Sequence, residues 1–316
     1  MPQTCAQEKH PAYHRTDIIF DSDMGPDYDD VGAITLLHAF ADKGKINILA
    51  TIASTRYENV GAVLNVFNTY FHREEIPIAV PRNNGLLLRD YQHWTDTLVA
   101  NYPHKIKTNE EAMEPVALYR KILSAHPDKS ITIVTVGFLT NLAALLKSAP
   151  DEYSALNGYD LVKKKVKRLV SMAGKFPAGE EFNIDQDIPS SVYTYAHWPG
   201  EVLFSGFEIG WKIKTGIPLI HDETIRHSPV KDVFRISIPM AAEDSAGRKS
   251  WDETAVLVAA TGYQTYYTSK KGRIKIAADG SDSWDESGRG QFYLLEKENP
   301  AKVEKRINEL IRHQPQ

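Results

Sequence analysis

Short apolar runs alternate with longer segments of helical periodicity through most of the chain. The apolar runs are rich in Ile and Val and show little polar alternation, which is typical of parallel strands covered on both faces. They predict strands at 17–23, 46–53, 76–80, 131–136, 168–173 and 202–209. Helical patterns lie at 30–41, 60–71, 111–125, 139–148, 188–196 and 251–261, with a terminal amphipathic helix at 299–313. The Asp-rich stretch at 279–290 predicts a hairpin or loop. This alternation predicts an α/β fold in which helices flank one mainly parallel, Rossmann-like central sheet.

The first sixteen residues are polar and differ from the rest of the chain. We predict an N-terminal arm at 1–16 and a single α/β domain at 17–316, because no linker, repeat or low-complexity tract divides the remainder. The arm lacks the apolar stretch of a signal peptide, and no segment is apolar enough to span a membrane. A cytoplasmic location is therefore expected for the sequence as given, and a periplasmic location if a leader has been removed.

Composition narrows the range of partners. Of the 316 residues, 42% are hydrophobic and 25% are charged, and the formal net charge is −4. A weakly acidic globular chain without a strongly basic segment is not expected to bind nucleic acid or an anionic membrane. Cys5 is the sole cysteine, which excludes an intramolecular disulfide and a Cys-based zinc site.

Five aspartates crowd the end of the first predicted strand and the loop that follows it. They are Asp21, Asp23, Asp27, Asp29 and Asp30. Like charges at this density repel one another and resist desolvation, so the arrangement indicates a bound cation. Capping of the next helix would explain one or two of these aspartates, but not all five. Carboxylates without a neighbouring Cys or His pair favour a hard ion over Zn²⁺, and we predict Ca²⁺ ahead of Mg²⁺.

Polar motifs follow later strands at the same edge of the predicted sheet, where open parallel sheets bind their ligands. The motifs are Val-Gly-Phe-Leu-Thr-Asn-Leu at 136–142, Met-Ala-Gly at 172–174, Glu-Glu-Phe-Asn at 180–183 and Ser-Trp-Asp-Glu-Thr-Ala at 250–255. Together with Asp-Ser-Asp-Met-Gly-Pro-Asp-Tyr-Asp-Asp at 21–30, and in this order, they resemble the inosine-uridine-preferring nucleoside hydrolase family. The resemblance extends from Asp17 to Ala260.

The resemblance implies the nucleoside hydrolase fold, one bound Ca²⁺ and hydrolysis of the N-glycosidic bond of a small-molecule ribonucleoside to ribose and free base. It also implies a homo-oligomer, either a dimer or a tetramer. By motif, the metal ligands are Asp23, Asp30, Asp252 and the backbone carbonyl of Val136. Water and two ribose hydroxyls would fill the other positions that calcium requires, so that one ion would hold the sugar as well.

The same resemblance assigns roles to the remaining polar residues. Asp29 resembles the general base that takes a proton from metal-bound water. Asp27 is its rival, because it lies in a two-residue extension that some members carry before the Asp-Asp pair. Glu181 and Asn183 resemble the residues that bind ribose hydroxyls. Asp21 is expected to orient the loop through hydrogen bonds rather than to hold the ion.

The part of the site that would meet the base departs from the family pattern. Many members place a His immediately before the last metal aspartate, where it helps to protonate the leaving base, and that position is Trp251 here. Trp can stack on a base but cannot transfer a proton at neutral pH. His93, in the Tyr-Gln-His-Trp segment at 91–94, is our candidate for the missing acid and for a contact to the base.

Two other functions fit parts of the sequence. Asp21-Ser22-Asp23 after a strand is also similar to the opening of haloacid-dehalogenase-type phosphatases, but the residues after Asp23 do not continue that motif. The other alternative is a non-catalytic, calcium-dependent nucleoside- or ribosyl-binding protein whose proton donor has been replaced by Trp251. The presence of Asp29 favours catalysis, because a protein that only binds would not need a general base.

Overall fold

The computed structural model describes residues 15–316, so Cys5 and nearly all of the predicted arm at 1–16 lie outside the described residues. The strands are β1 Thr16–Ser22, β2 Ile46–Ala53, β3 Ile78–Ala79, β4 Ile131–Thr135, β5 Val166–Met172, β6 Ala178–Gly179, β7 Glu201–Ser205, β8 Lys214–Thr215, β9 Arg248–Lys249, β10 Tyr267–Ile276, β11 Asp282–Asp285 and β12 Gln291–Glu296. The α-helices are α1 Asp29–Asp42, α2 Val60–Tyr70, α3 Trp94–Asn101, α4 Pro115–Ala125, α5 Thr140–Lys147, α6 Gly158–Lys165, α7 Phe182–Gln186, α8 Ile188–His197, α9 Phe207–Gly210, α10 Ile217–Ile220, α11 Pro229–Ser237, α12 Trp251–Thr261 and α13 Pro300–Leu310. Short 3₁₀ helices lie at Asn109–Glu111, Ile238–Met240 and Ala242–Asp244. None of the helices described here is long and apolar enough to cross a membrane.

The central sheet has the strand order β3-β2-β1-β4-β5-β7-β12-β10-β11-β6. The strands from β3 to β12 in this order pair in parallel, and β10, β11 and β6 extend the sheet in antiparallel pairs. From β1 the chain adds β2 and β3 on one side and then places β4 on the other side. The order of the strands therefore reverses between β1 and β4, which is where ligands bind in folds of this kind.

Alternate residues of β1 belong to two apolar cores, one on each face of the sheet. Ile18 and Phe20 pack in the core that includes residues of α1, α2 and α12, and Ile19 packs in the core that includes residues of α4, α5 and α8. All three side chains are fully buried, and each burial contributes about 1.5–3 kcal/mol. Because both faces are covered, β1 reads as a continuous apolar run in the sequence.

The mainly parallel sheet is confirmed, and the differences from the sequence prediction have local causes. The strand predicted at 202–209 ends at Ser205, because Gly206 turns the chain into α9. The helix predicted at 111–125 begins at Pro115, whose fixed φ suits the first turn of a helix. The loop or hairpin predicted at 279–290 contains β11, while β10 and β12 were not predicted.

Candidate functional site

The motifs that follow the parallel strands meet in one pocket at the carboxyl edge of the sheet. The pocket is lined by Asp23, Asp27, Asp29, Val136, Met172, Glu180, Glu181, Phe182, Asn183, Phe207, Trp251 and Asp252. The structure thus brings together most of the predicted site residues, and it places them at the switch point between β1 and β4. Asp30 is buried in the first turn of α1, and Phe207 is a lining residue that the sequence analysis did not single out.

Three of the predicted metal ligands are buried carboxylates near one another. Asp23 follows β1, and Asp30 and Asp252 lie in the first turns of α1 and α12. Ser22 Oγ donates to Asp30 Oδ1 at 2.6 Å, whereas Asp30 Oδ2 is buried without a hydrogen-bond partner. Burial is the largest cause, and the charges of neighbouring aspartates the second, of a rise in the pKa values of Asp23 and Asp252 well above the ordinary value for aspartate. Burial and the charge of Asp29 raise the pKa of Asp30 to about 7, so this part of the pocket favours a positively charged ligand.

Gly137 allows the chain after β4 to approach Asp23 closely. A Cβ atom on Gly137 would lie 2.3 Å from the Asp23 backbone nitrogen and 2.6 Å from Ser54 Oγ. The Val136 backbone N–H also donates to the Asp21 carbonyl at 2.8 Å. These contacts join the loops after β1 and β4 and keep the Val136 backbone beside the pocket.

Gly137→Ala is expected to lower the free energy of unfolding by about 1–3 kcal/mol, because the added methyl must displace the backbone at Asp23. Urea unfolding of the wild type and the variant measures this difference. Gly200→Ala is the matched control, since the atom nearest to its added Cβ lies at 3.6 Å. Equal stabilities of the two variants would contradict the importance of the close approach.

Four donors hold the carboxylate of Asp29, the first residue of α1. Oδ1 accepts from Arg248 Nε at 3.0 Å and from Arg248 Nη2 at 2.7 Å. Oδ2 accepts from the backbone N–H groups of Trp251 at 3.1 Å and Asp252 at 3.2 Å. An ionised carboxylate has about four acceptor positions, and these donors fill them. Asp29 therefore fastens the start of α12 to the start of α1.

Arg248, in β9, is a charged residue of the site that the sequence analysis missed. Its guanidinium also pairs with Asp27 at 2.5 Å and with Asp244 at 3.6 Å. The guanidinium carbon lies 5.1 Å from the ring centroids of both Tyr28 and Trp251, a distance at which cations and aromatic rings attract. Its carboxylate partners Asp27 and Asp29 are far away along the chain, so the sequence does not show the ion pairs. The one signal in the sequence is that Arg248 lies three positions before the Trp-Asp motif.

The two residues predicted to bind ribose lie at the start of α7. Both oxygens of Glu181 accept from backbone N–H groups, those of Asn183 at 2.9 Å, Gly174 at 3.2 Å and Ile184 at 3.3 Å. Burial raises the pKa of Glu181 to about 7. Asn183 Nδ2 donates to the Val136 carbonyl at 3.0 Å, whereas Asn183 Oδ1 is buried without a partner. Asn183 can therefore accept a hydrogen bond from a hydroxyl group in the pocket.

Aromatic side chains form the apolar part of the pocket lining. The ring centroids of Phe207 and Trp251 lie 5.3 Å apart, and the Trp251 indole N–H donates to the Phe207 carbonyl at 2.9 Å. Phe182 adds a ring that is 47% exposed. Because its only donor is already used, Trp251 offers a ligand its ring face and no hydrogen bond.

The structure places His93 outside this pocket. His93 has a positive φ of 55° and directly precedes α3, where Asp90 accepts from the Thr95 backbone N–H at 2.9 Å. The His93 side chain is 68% exposed, and its Nδ1 lies 3.2 Å from an oxygen of Asp96. The loop that carries His93 is thus fixed by local contacts, and the imidazole is not placed to contact or protonate a ligand there.

Asp21 makes the contacts expected of a residue that orients the metal loop. It is fully buried and is not part of the pocket lining. Tyr119 Oη donates to Asp21 at 2.8 Å, and Asn141 Nδ2 donates to both of its oxygens. Burial raises the pKa of Asp21 to about 7. Asp21 therefore ties the end of β1 to α4 and α5.

The donor chemistry of the pocket fits a hard cation. Carboxylates, a backbone carbonyl and an amide oxygen are the ligands that Ca²⁺ and Mg²⁺ prefer, and no Cys or His is among the described lining residues. The buried Asp30 Oδ2 and Asn183 Oδ1 atoms lack partners. Over residues 15–316, however, no three His, Cys, Asp or Glu side chains are already grouped to hold a metal, and Arg248 neutralises Asp27 and Asp29 instead. A metal would therefore require the other carboxylates to close around it.

Glu208, in α9, carries a mostly buried carboxyl group beside Phe207. Burial raises its pKa to about 7, although the Phe176 backbone N–H donates to Oε2 at 3.0 Å and opposes the rise. The ordinary value is 4.5, so between these two pH values the folded state binds more protons than the unfolded state. The stability contributed by the protonated group is complete below pH 4.5 and is lost as the pH rises to about 7.

Glu208→Gln is expected to flatten this pH dependence, because the variant has no proton to lose. A full shift corresponds to about 1.4 kcal/mol per pH unit, so the wild type should lose up to about 2 kcal/mol from this group between pH 5 and pH 6.5. Urea unfolding at both pH values measures the loss. Glu223→Gln, at an exposed position, is the control. If Glu208→Gln keeps the full pH dependence of the wild type, the carboxyl group does not titrate as described.

The fold and the pocket define a Rossmann-like α/β protein with an acidic, partly aromatic small-molecule site at its switch point. The model of the family described as "Inosine-uridine preferring nucleoside hydrolase" matches residues 18–310. The chain belongs to this family, which confirms the resemblance and removes the phosphatase alternative.

Individual relatives agree with this assignment. A Leishmania major inosine-uridine preferring nucleoside hydrolase is 27% identical over 177 residues, which are 53% of this chain and 52% of that protein. The match thus spans about half the length of this curated relative. A plant nucleoside hydrolase structure is 21% identical, with a TM-score of 0.70, over 95% of this chain and 98% of that one. A purine-preferring ribonucleoside hydrolase from Gardnerella vaginalis is 15% identical, with a TM-score of 0.73, over 94% and 99%. At these identities the structures show the shared fold, so the predicted nucleoside hydrolase fold is confirmed.

Proposed function

We propose that this protein hydrolyses the N-glycosidic bond of ribonucleosides with the help of Ca²⁺, releasing ribose and a free base. One observation carries the proposal: Asp23, Asp252, Asn183 and the rings of Phe207 and Trp251 line a single pocket. The two carboxylates would bind a cation, the Asn183 amide oxygen would accept from a sugar hydroxyl, and the rings would stack on a flat base. Membership of the family supports the same reaction.

Asp23, Asp30, Asp252 and the Val136 carbonyl would hold the ion. When bound, such an ion lowers the pKa of a water molecule and offers coordination positions to ribose hydroxyls. The buried and mutually repelling carboxylates support this assignment, because each is more stable in its charged form beside a cation. Calcium fits the donor set better than zinc, which prefers nitrogen and sulfur ligands.

Asp23, rather than Asp29, is our candidate for the general base. The four donors on Asp29 leave no room for a proton, and Asp27 is paired with Arg248 at 2.5 Å. The Asp23 carboxylate receives a hydrogen bond from its own backbone N–H, and no other side chain in the described part of the chain donates to it. Burial makes this carboxylate more basic, which favours proton transfer from the attacking water.

The sugar would be held by Asn183 and Glu181. Asn183 Oδ1 is free to accept a hydrogen bond, whereas Glu181 would have to share oxygens that already accept from backbone N–H groups. Positive charge develops on the ribose ring as the glycosidic bond breaks, and carboxylates in a buried pocket stabilise this charge. Asp23 and Asp252, which both line the pocket, would do so.

A panel of purine and pyrimidine ribonucleosides, incubated with added Ca²⁺ or with a chelator, tests the function. Chromatography should detect free base with calcium, none with chelator, and renewed release when calcium is restored in excess. Protein that binds ribonucleosides in a calcium-dependent way but releases no base from any of them would contradict the hydrolase. That result would support the non-catalytic binding protein instead.

A homo-oligomer, either a dimer or a tetramer, is a further part of the proposal. It rests on the family alone. Light scattering coupled to gel filtration would give the mass of the particle, and a monomer of 35.5 kDa would contradict it.

A further inference from the structure

Three consecutive backbone N–H groups behind the pocket wall each donate to a different carboxyl group. They belong to the segment Gly174–Phe176, between β5 and β6. Their acceptors, in order along the segment, are Glu181 Oε2 at 3.2 Å, Asp282 Oδ2 at 2.8 Å and Glu208 Oε2 at 3.0 Å. Glu181 directly precedes α7, Asp282 opens β11 and Glu208 lies in α9. The segment is therefore held from three separate elements.

The same segment joins the two ends of the pocket. The Gly174 carbonyl accepts from the backbone N–H of Phe207 at 2.8 Å, and Phe207 belongs to the aromatic part of the lining. The Gly174 N–H is bound to Glu181, which also accepts from the backbone N–H of Asn183 at 2.9 Å. Gly174 thus connects the residue that would stack on a base with the residue that would hold the sugar.

Stability alone does not explain the two carboxyl groups that reach this segment from α9 and β11. Asp282 is 3% exposed, and within the described part of the chain Asp282 Oδ1 and Glu208 Oε1 are buried without a hydrogen-bond partner. A buried carboxyl group with an unpaired oxygen costs free energy, and its replacement by a well-packed apolar residue is often neutral or stabilising. What each group supplies is an acceptor at a fixed place for one backbone N–H.

We propose that Glu208 and Asp282 are positioning residues that set the spacing between the two ends of the pocket. These ends are the sugar contact at Asn183 and the aromatic contact at Phe207. The inference rests on the proposed hydrolase function. Neither carboxyl group lines the pocket, and both act through the segment Gly174–Phe176. A whole ribonucleoside meets both ends and depends on their spacing, whereas ribose meets one end only.

Glu208→Ala tests the proposal in the calcium-loaded protein. Loss of the acceptor should raise KM for the preferred ribonucleoside about tenfold, because the pocket is less well organised before binding. The dissociation constant of ribose, measured by titration calorimetry, should stay within about twofold of the wild-type value. Glu208→Gln keeps an acceptor oxygen and should restore the wild-type KM. An unchanged KM in Glu208→Ala, an equal loss of ribose binding, or no rescue by Glu208→Gln would overturn the proposal.

Asn65→Ala is the matched control for a general loss of stability. Asn65 is 2% exposed and lies outside the pocket lining, and its Oδ1 accepts from the consecutive backbone N–H groups of 105–106 at 2.6 and 3.2 Å. This variant should keep the wild-type KM, and a rise equal to that of Glu208→Ala would overturn the proposal. If Glu208→Ala does not fold, Asp282→Ala, which frees the Lys175 N–H, is compared with Asp282→Asn in the same way.

Amide hydrogen exchange provides a readout that does not depend on turnover. In Glu208→Ala the backbone N–H groups of Lys175 and Phe176 should exchange about tenfold faster than in the wild type, whereas those of β4 should not. Hydrolysis by the wild type, with exchange and KM unchanged in the variant, would overturn the positioning role and leave the hydrolase intact. Faster exchange and weaker ribonucleoside binding in the variant, without turnover by the wild type, would overturn the hydrolase and support the positioning role.

Discussion

Asp23→Asn is expected to lower kcat for ribonucleoside hydrolysis by about 10²–10⁴-fold, the range typical of a lost general base. The amide keeps the shape of the side chain and one oxygen that could still contact an ion, but it cannot take a proton from water. Steady-state kinetics on the preferred nucleoside gives kcat and KM, and calcium titration shows whether the ion is still bound. A fall in kcat greater than the loss of calcium affinity is the expected result.

Asp29→Asn is the matched comparison, because it makes the same chemical change six positions away. Its Oδ1 can still accept hydrogen bonds from neighbouring donors, so we expect a smaller loss of kcat than for Asp23→Asn. If Asp29→Asn abolishes turnover while Asp23→Asn keeps most of it, the base is Asp29, as the motif resemblance assigned it.

Arg248→Met is expected to lower the free energy of unfolding by about 3–5 kcal/mol, the usual result of removing one partner from a buried ion pair. The Asp29 side chain is only 2% exposed and would lose both of its side-chain donors. Asp27 would lose the same counter-ion, whereas Asp244 would keep Lys249 at 3.1 Å. Chemical denaturation at neutral pH, where the carboxylates of the unfolded chain are ionised, measures the change in the free energy of unfolding.

Arg306→Met is the control for this substitution. Arg306 pairs with Glu309 on the surface of α13 and is 37% exposed, so its removal should cost about 0–1 kcal/mol. Arg248→Lys separates charge from shape, since a lysine keeps the charge but cannot make two parallel hydrogen bonds to Asp29. A stability of Arg248→Met equal to that of the control would mean that Asp29 is held well enough by the two backbone N–H groups alone.

The central half of the fold could be predicted because its strands carry their signal locally. A strand buried on both faces, such as β1 or β4, reads as an unbroken apolar run whatever its neighbours are. The antiparallel extension could not be read in this way. In β10, buried and exposed residues alternate irregularly among several lysines, and its place in the sheet depends on pairing with β12. Pairing between distant segments leaves no periodic trace in one sequence.

The same distinction separates the site residues that were predicted from those that were not. Asp23, Val136, Asn183 and Asp252 follow strands or open helices, so their place at the carboxyl edge could be read from local order. Arg248 depends mainly on Asp27 and Asp29, which lie more than two hundred positions away, and its place three positions before the Trp-Asp motif is only a weak local signal. His93 attracted attention through its chemistry alone, and neither its exposure nor its left-handed backbone conformation before α3 was visible in the residue type.

The hydrogen bond from the Trp251 backbone to Asp29 joins residues 222 positions apart, and that from Tyr28 to Asp244 joins residues 216 positions apart. Contacts across such separations require closure of a very long loop, so they form after the local helices and neighbouring strands. The first aspartates of the site are synthesised early but cannot form the pocket until α12 arrives near the end of the chain. A ligand that binds only the closed pocket shifts the folding equilibrium by mass action towards the fully docked state. Binding of the ligand and the docking of α12 against α1 are therefore thermodynamically linked.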